Sequence, residues 1–563
     1  MTSGAGATIG EEPVAAKTYR ELPAVAERVM IVGLDGATFD VLNPMMESGR
    51  MPCLKAFIER GTSGVLESTR PPITPAAWTT FMTGKTPGTH GIVDFERYDV
   101  HTNKLTFNST KTLQNTRTLW EILGDKGLKV GAINVPMTYP PRAVNGFMIS
   151  GFETPGLHTE FTYPALLKEE LLKRWPDYSF RSKWRRTTVG RGRPLARNLR
   201  AICDSFWTGA EVARFCGDRF GWDVLAIVYK LVDNLQHKAW KYLDPRYNGR
   251  YAKQAAMVAD SFRALDDALA DLLEYAEANN ATVLIMSDHG HGSLEGKAQP
   301  NLLLKKWDYL KIKSGPAQSR TRAKHVLNHA LQRKRNRFAR ENQIEKDVAV
   351  DFSRTRACVM HAGMSGFLYI NLKGRQPTGI VEPADYEPLR EELKERFEHL
   401  KVVDPWGRIV NLFTEVHRPE ELYGRNREDC PWMPDLLLVP ADGLSVVRRI
   451  RGSKPVRWLP RRKIEGTHRL EGVLAAAGNG IPAGKTARAK IVDVAPTILA
   501  MMGLRVPDDM EGRVVTELFE TPIPYETEPA SVSSGAVATE ENVYSEEEQR
   551  LLTERLADLG YLE

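Results

Sequence analysis

Short, mainly apolar runs separated by amphipathic stretches set the pattern of this chain. The runs Val29–Leu34, Val130–Asn134, Phe147–Ser150, Val224–Val228, Thr282–Met286, Leu436–Val439 and Val473–Ala477 have the length of buried strands. Helical spacing falls between them. It covers Leu42–Arg60, with Leu54, Phe57 and Ile58 on one side and Gly61 as C-cap, then Gln254–Ala278 and Val492–Met502. Apolar strands flanked by helices predict an α/β fold, a mostly parallel central sheet with helices on both faces. Two stretches interrupt the alternation and read as inserted cap regions: the Trp- and Arg-rich 152–221, and 300–430, which contains a strand-like Gly366–Asn371.

The ends have a different texture. Residues 1–27 read as a mobile polar leader, 28–519 as the main domain, and the Pro/Ser/Glu-rich 520–543 as a linker. Residues 544–563 read as a docked amphipathic helix, with Ser545 as N-cap and Leu551, Leu552, Leu556 and Leu559 at helical spacing.

Composition narrows the class. With 42% hydrophobic and 26% charged residues among 563, the chain is ordinarily globular, not disordered or collagen-like. Its net charge of +6 conceals an asymmetry. The segments 181–200, 311–340 and 448–463 hold 8, 10 and 8 Lys/Arg and no acid, which leaves the rest of the chain at −20. Five scattered cysteines form no C-x-x-C pair, so neither a disulfide framework nor a thiolate zinc site is expected. The start has no continuous apolar core of a secretory signal, and no apolar run is long enough to span a bilayer. The expected location is the cytoplasm, with a membrane surface open to a basic patch.

Candidate chemistry clusters where strands end. Val29–Leu34 stops at Asp35-Gly36, a ligand group at the carboxyl end of a strand or simply a turn. Thr282–Met286 runs into Ser287-Asp288-His289-Gly290-His291-Gly292. There a carboxylate and an imidazole share one turn, as Zn²⁺ or Mn²⁺ ligands would, and glycines allow close backbone approach. Val224–Val228 feeds Asp233-Asn-Leu-Gln-His237. On a helix, positions i and i+4 can grip one ion, although a cap and an ordinary helix residue would read the same. His468, in G-T-H-R-L-E-G, is a loop imidazole, as ligand or as solvated residue. Thr74-Pro75 marks a helix start, with Thr at N-cap and Pro at N1. A hydroxyl there faces free N–H groups and the positive dipole end, which favour a phosphoryl anion, although capping alone would explain the residue. Thr79, Thr80 and Thr83 read as helix packing residues.

Taken in order, these segments resemble the alkaline phosphatase superfamily, in particular its type I phosphodiesterase/nucleotide pyrophosphatase branch and a related phosphohydrolase/phosphomutase family. The residues that carry the resemblance are G-L-D-G-A-T-F-D around Asp35, P-P-I-T-P-A-A-W-T-T-F-M-T-G-K-T-P-G-T-H-G-I around Thr74, then D-N-L-Q-H, S-D-H-G and G-T-H-R-L-E-G. Y-I-N-L-K-G-R-Q-P-T-G-I-V and D-V-A-P-T-I-L-A-M-M-G-L add to it.

The resemblance implies an alkaline-phosphatase-like fold and two divalent metal ions, Zn²⁺ or else Mn²⁺. Asp35, Asp288 and His289, with the Thr74 oxygen, would hold one ion; Asp233, His237 and His468 would hold the other. Two ions about 4 Å apart can stabilise the attacking and leaving oxygens of an in-line displacement. Thr74 would be the nucleophile, through a phosphothreonine intermediate. The implied activity is hydrolysis of a phosphodiester or pyrophosphate bond in a phosphorylated small molecule. Phosphomonoester hydrolysis and phosphomutase rearrangement are the alternatives within the superfamily. The resemblance also has departures. Characterised nucleotide pyrophosphatases carry a phosphate-binding Asn soon after H-G-I, where this chain has Phe95; Lys230, Arg461 and Arg462 are the candidates to bind substrate instead. The Cys/Ser-x-Pro-x-Arg signature of sulfatases is absent. A reading of another class is a polyanion-binding protein, for nucleic acid or an anionic membrane, on a degenerate phosphatase fold. Its contacts would run through 181–200, 311–340 and 448–463.

Overall fold

The apolar runs become the middle of a nine-stranded sheet. The computed structural model describes residues 21–113, 116–180, 184, 192–313, 350–425, 430, 432–530 and 543–559. Five neighbouring strands, Ala281–Met286, Arg28–Gly33, Val224–Val228, Val130–Val135 and Gly146–Ser150, are all parallel. Beyond Ala281–Met286 come Glu471–Ala477, Thr62–Glu67 and Lys485–Lys490, and Thr162–Tyr163 closes the other edge. Glu471–Ala477 runs against both neighbours, and Thr162–Tyr163 is also antiparallel.

Alternation along each strand builds two cores. Met30, Val32, Leu225, Ile227 and Ile285 face one side, with residues of the helices Gly192–Phe220 and Ala252–Ala278. Val29, Ile31, Val224, Ala226, Leu284 and Met286 face the other, with the helices Thr74–Thr83 and Val494–Met501. Strands buried on both faces read as continuous apolar runs, which is why these were visible in the sequence.

Several elements differ from expectation for local reasons. Leu42–Arg60 is two helices, Phe39–Glu47 and Pro52–Glu59, because Gly49 turns left-handed (φ 71°) and Pro52 starts a new helix at N1. Leu436–Pro440 pairs outside the main sheet. The stretch 152–221, expected as an insertion, ends in the 29-residue helix Gly192–Phe220, which supplies main-sheet core. Residues 21–26, expected in the leader, hydrogen-bond to Met501 and Gly503 after the helix Val494–Met501.

A second unit grows from the chain after His291. The strands Ala357–Ala362, Gly366–Ile370, Leu436–Pro440 and Phe413–His417 form an antiparallel sheet in that order. Leu368, Leu436 and Leu438 pack there against Leu389, Leu393 and Phe397 of the helix Pro383–Glu398. This unit grips the loop before Thr74: Arg70 Nε donates to Glu415 Oε2 at 3.0 Å, and the Tyr423 hydroxyl donates to the Arg70 carbonyl.

The terminal helix Glu546–Leu559 has a reciprocal cap. Ser545 Oγ accepts from the Glu548 N–H at 3.3 Å, and Glu548 Oε2 accepts from the Ser545 N–H at 2.8 Å. Leu552, Leu556 and Tyr544 join Ile73, Ala76, Phe95, Tyr139 and Phe152 in a small apolar cluster. Among the described residues no helix is long and apolar enough to cross a membrane. All five cysteines are free.

Candidate metal centre and nucleophile

Topology delivers the candidate residues to one edge of the sheet. Three adjacent parallel strands end there. Arg28–Gly33 leads to Asp35, and Ala281–Met286 leads to Asp288 and His289. Val224–Val228 leads to Lys230 and the helix Leu231–Leu243, which carries Asp233 and His237 one turn apart. Because Glu471–Ala477 runs the other way, the residues before it reach the same edge, and His468 arrives on the strand Glu465–Arg469. The sequence contained one more member. His291, in the strand Gly290–Leu294, lies directly across from His468. Its spacing of two from His289 in extended chain was the available signal, since alternate residues share a face.

The histidines are set in one tautomer. His237 Nδ1 lies 2.9 Å from the Gly466 carbonyl, His291 Nδ1 2.9 Å from that of Gly36, His468 Nδ1 2.8 Å from that of Pro72, and His289 Nδ1 3.0 Å from that of Gly290. A carbonyl only accepts, so each Nδ1 bears a proton and Nε2 is the ring atom left to face the centre. Three of these Nε2 atoms converge on Asp233 Oδ1: His237 at 3.2 Å, His468 at 3.4 Å and His291 at 3.5 Å. His289 Nε2 faces the other carboxylates, 3.3 Å from Asp288 Oδ2 and 3.9 Å from Asp35 Oδ1. The two halves touch where the His289 and His468 rings stack, with centroids 3.6 Å apart.

Two buried His/Asp clusters result: Asp233, His237, His291 and His468, and Asp35, Asp233 and His289. Their chemistry fits divalent ions. Asp288 Oδ2 and His291 Nε2 are buried and have no hydrogen-bond partner among the described residues. Imidazole lone pairs whose opposite N–H is tied to backbone, beside carboxylates, are the usual donor set for such ions. Electrostatics agree. Burial holds His289, His291 and His468 well below the ordinary imidazole value, hence neutral. Burial raises Asp35 to about 6 and holds Asp288 well above the usual carboxylate value. For Asp233 burial also opposes charge, but His237 and Lys230 outweigh it and hold the carboxyl well below the usual range. A bound cation would favour the charged forms of Asp35 and Asp288.

Gly36 joins the halves. Its N–H donates to Asp288 Oδ1 at 2.9 Å, and its carbonyl accepts from Gln236 Nε2 at 2.6 Å as well as from His291. Its φ of 68° is left-handed, and a Cβ there would stand 2.8 Å from His291 Nδ1. Ser287 fastens the neighbouring turn, donating to the Ala37 carbonyl and accepting from the Val473 N–H. Trp78, one turn into the Thr74 helix, donates Nε1–H to Asp35 Oδ2 at 2.9 Å.

Thr74 is fully buried, and its Oγ1 lies 3.3 Å from His289 Nε2. The helix begins one residue earlier than expected, with Ile73 at N-cap, Thr74 at N1 and Pro75 at N2. No side chain at Ile73 caps the helix. The neighbouring threonines pack as expected: Thr83 Oγ1 donates to the Thr79 carbonyl, and Thr80 meets His90. His90 is not part of the centre. Its Nδ1 accepts from the Ile92 N–H, which makes it the opposite tautomer, and burial lowers it to about 3.

The expected substrate contacts fare differently. The Lys230 ammonium sits inside the centre, 3.1 Å from Asp35 Oδ1 and paired with Asp233 Oδ2. Arg461 is exposed on the turn Arg461–Lys463, where its charge acts on Tyr247. The Arg462 side chain lies outside the described residues. At the position of the missing Asn, Phe95 is buried edge-on against Phe152, with centroids 5.6 Å apart. Half of 181–200 and most of 311–340 lie outside the described residues, whereas 448–463 exposes Arg451, Lys454, Arg457, Arg461 and Lys463.

Comparisons with known proteins agree with this arrangement. A family model described as type I phosphodiesterase / nucleotide pyrophosphatase matches residues 29–470. No curated protein sequence matches. Similar solved structures include human ectonucleotide pyrophosphatase/phosphodiesterase 5, at 13% identity and TM-score 0.49, covering 88% of this chain and 100% of that one. The murine protein of the same name shows 12% identity and TM-score 0.47, over 89% of this chain and 97% of that one. Phosphonoacetate hydrolase from Sinorhizobium meliloti, in complex with phosphonoformate, shows 16% identity and TM-score 0.47, over 85% and 95%. With most of its length matched by the family model and its buried His/Asp clusters at the matched segments, the chain belongs to the type I phosphodiesterase/nucleotide pyrophosphatase family of the alkaline phosphatase superfamily.

Proposed function

We propose that the protein is a two-metal hydrolase that cleaves a phosphodiester or pyrophosphate bond with Thr74 as nucleophile. The observation that carries this reading is the gathering of four imidazole Nε2 atoms and three carboxylates in one buried centre, with the Thr74 hydroxyl 3.3 Å from His289 Nε2. When bound, two divalent ions would supply charge neutralisation and acidify a hydroxyl that is otherwise a weak nucleophile. Asp35, Asp288 and His289 would hold the ion next to Thr74, and Asp233, His237 and His468 the other. Nitrogen-rich donors mixed with carboxylates suit Zn²⁺, with Mn²⁺ second.

The chain's own residues do the rest. Thr74 Oγ sits at the first residue of its helix, where the positive end of the helix dipole favours a phosphoryl group. Its oxygen forms a bond to phosphorus as the ester bond opposite breaks. The hydroxyl proton passes to solvent, and the leaving oxygen takes one up. Water then displaces Thr74 from phosphorus and restores the hydroxyl. Catalysis in these steps is positioning and charge complementarity.

The family supports a nucleotide-containing substrate. Phe95, in place of an amide donor, supports a substrate held through less polar contacts near phosphorus. The exposed cations of 448–463, on the stretch leading to His468, would meet an approaching anion. A metal-replete assay comparing an aryl phosphodiester, a dinucleotide pyrophosphate and an aryl phosphomonoester tests the reading. Turnover of the diester or pyrophosphate well above that of the monoester is expected, and the reverse order would favour a phosphomonoesterase or phosphomutase.

A further inference from the structure

The two halves of the centre are unequal. Around Asp233 stand three imidazoles, each pinned by a backbone carbonyl. Around Asp35 stands one imidazole, and a cation is already there: the Lys230 ammonium, 3.1 Å from Asp35 Oδ1 and in contact with Asp233 Oδ2. Lys230 is nearly buried, and its place on the chain, three residues before Asp233 at the end of the central strand Val224–Val228, directs it inward. The ring of Phe152 lies 5.2 Å from the ammonium, a cation–π contact.

Asp233 turns Oδ2 to the lysine but keeps Oδ1 for the three imidazoles, whereas at Asp35 the lysine is on Oδ1 and Trp78 holds Oδ2, so an ion that enters beside Asp35 meets the lysine on the oxygen it needs. Like charges cannot share the same carboxylate oxygens in a low-dielectric site, so the ammonium must leave Asp35 as the ion arrives. The apparent affinity of that half then falls by the fraction of time for which Asp35 is clear of the lysine. His291 works in the opposite direction, adding a fourth donor to the Asp233 half.

We propose that Lys230 is a built-in competitor for the second metal ion: one ion is held firmly by Asp233, His237, His291 and His468, while the ion beside Thr74 binds more weakly, because it must displace the Lys230 ammonium from Asp35. The weaker ion is the one next to the nucleophile, so the occupancy of that half sets how much of the protein is competent. The inference rests on the two-metal reading above and adds an order of loading to it.

The test is calorimetric titration of the metal-free full chain with Zn²⁺ and, separately, with Mn²⁺, with stoichiometry checked by elemental analysis. The wild type should bind two ions in two steps separated by at least about tenfold, as expected if Lys230 clears Asp35 only a minor fraction of the time. Lys230→Gln should tighten the second step by about tenfold and leave the first within a few-fold, whereas Lys230→Arg should keep the weak second step. His291→Gln should weaken the first step by roughly 10–100-fold and spare the second. Two ions of equal affinity in the wild type, or a second step unmoved by Lys230→Gln in protein whose circular dichroism matches the wild type, would overturn the competitor role and leave the two-metal reading standing. No bound ion in any variant would overturn both.

Discussion

His237 and His468 face each other Nε2 to Nε2 at 2.9 Å, while their Nδ1 protons are committed to the carbonyls of Gly466 and Pro72. Two imidazole nitrogens that close, beside the Asp233 carboxylate, can share one cation, so a bound ion would favour the folded chain. Chelation should therefore lower the melting temperature. At an ion concentration 100 times the dissociation constant the lost stabilisation is about 2.7 kcal/mol per site. His468→Ala and Asp233→Ala should each reduce bound metal by elemental analysis and blunt the response to chelator. A full metal complement in either variant would refute the ligand assignment.

Gly36 makes a separate prediction, because it is held by its backbone alone. Gly36→Ala places a Cβ 2.8 Å from His291 Nδ1 and 3.1 Å from Asp233 Oδ1, at a φ of 68°. The left-handed backbone alone costs an alanine about 1–2 kcal/mol. The crowding should add to that and push His291 off the centre. Thermal denaturation should show the destabilisation, and metal affinity should fall with it. Unaltered affinity would mean that His291 is not a donor.

Glu153 gives a pH dependence away from the centre. Burial pushes its carboxyl up from 4.5 to about 7, while Oε1 accepts from the Thr138 and Tyr139 N–H groups. A raised folded value means that the protonated form is the stable one. Its contribution is full below about pH 4.5 and is lost as pH rises to 7. Across that window the loss is roughly 3 kcal/mol, from about 1.4 kcal/mol per unit. Glu153→Gln keeps the acceptor and removes the titration. Its melting temperature should match the wild type near pH 4.5 and exceed it at pH 8; parallel curves would contradict the shift.

The terminal helix should loosen when its cap is lost. Ser545→Ala removes the hydroxyl that accepts from the Glu548 N–H, which costs about 1 kcal/mol. Faster amide exchange over residues 546–556, with the main sheet unchanged, is the expected signature.

The residues of the candidate centre were mostly legible because strand ends announced them. Asp35, Asp233 and the Asp288-His289 pair each follow a continuous apolar run, and a buried parallel strand reads that way from sequence alone. His468 was harder, since its role depends on Glu471–Ala477 running backwards, a property of topology that no local pattern encodes. His291 was hidden because its partner His468 is far away in sequence, across a pairing the chain does not advertise. Lys230 was legible as a cation near the site but not as the partner of Asp35, which needs two strands side by side. Thr62–Glu67 and Lys485–Lys490 escaped for another reason. One is interrupted by polar residues and Gly64, and the other is a lysine-bearing edge strand whose charge guards against pairing.

Covalent capture of Thr74 tests the account most directly. Metal-loaded protein mixed with an aryl phosphodiester and quenched in acid should carry the substrate's phosphoryl group on the Thr74 peptide by mass spectrometry. Thr74→Ala should carry none, retain its metal, and lose turnover by several orders of magnitude. Wild-type turnover in Thr74→Ala, or a phosphoryl group found on another residue, would contradict it.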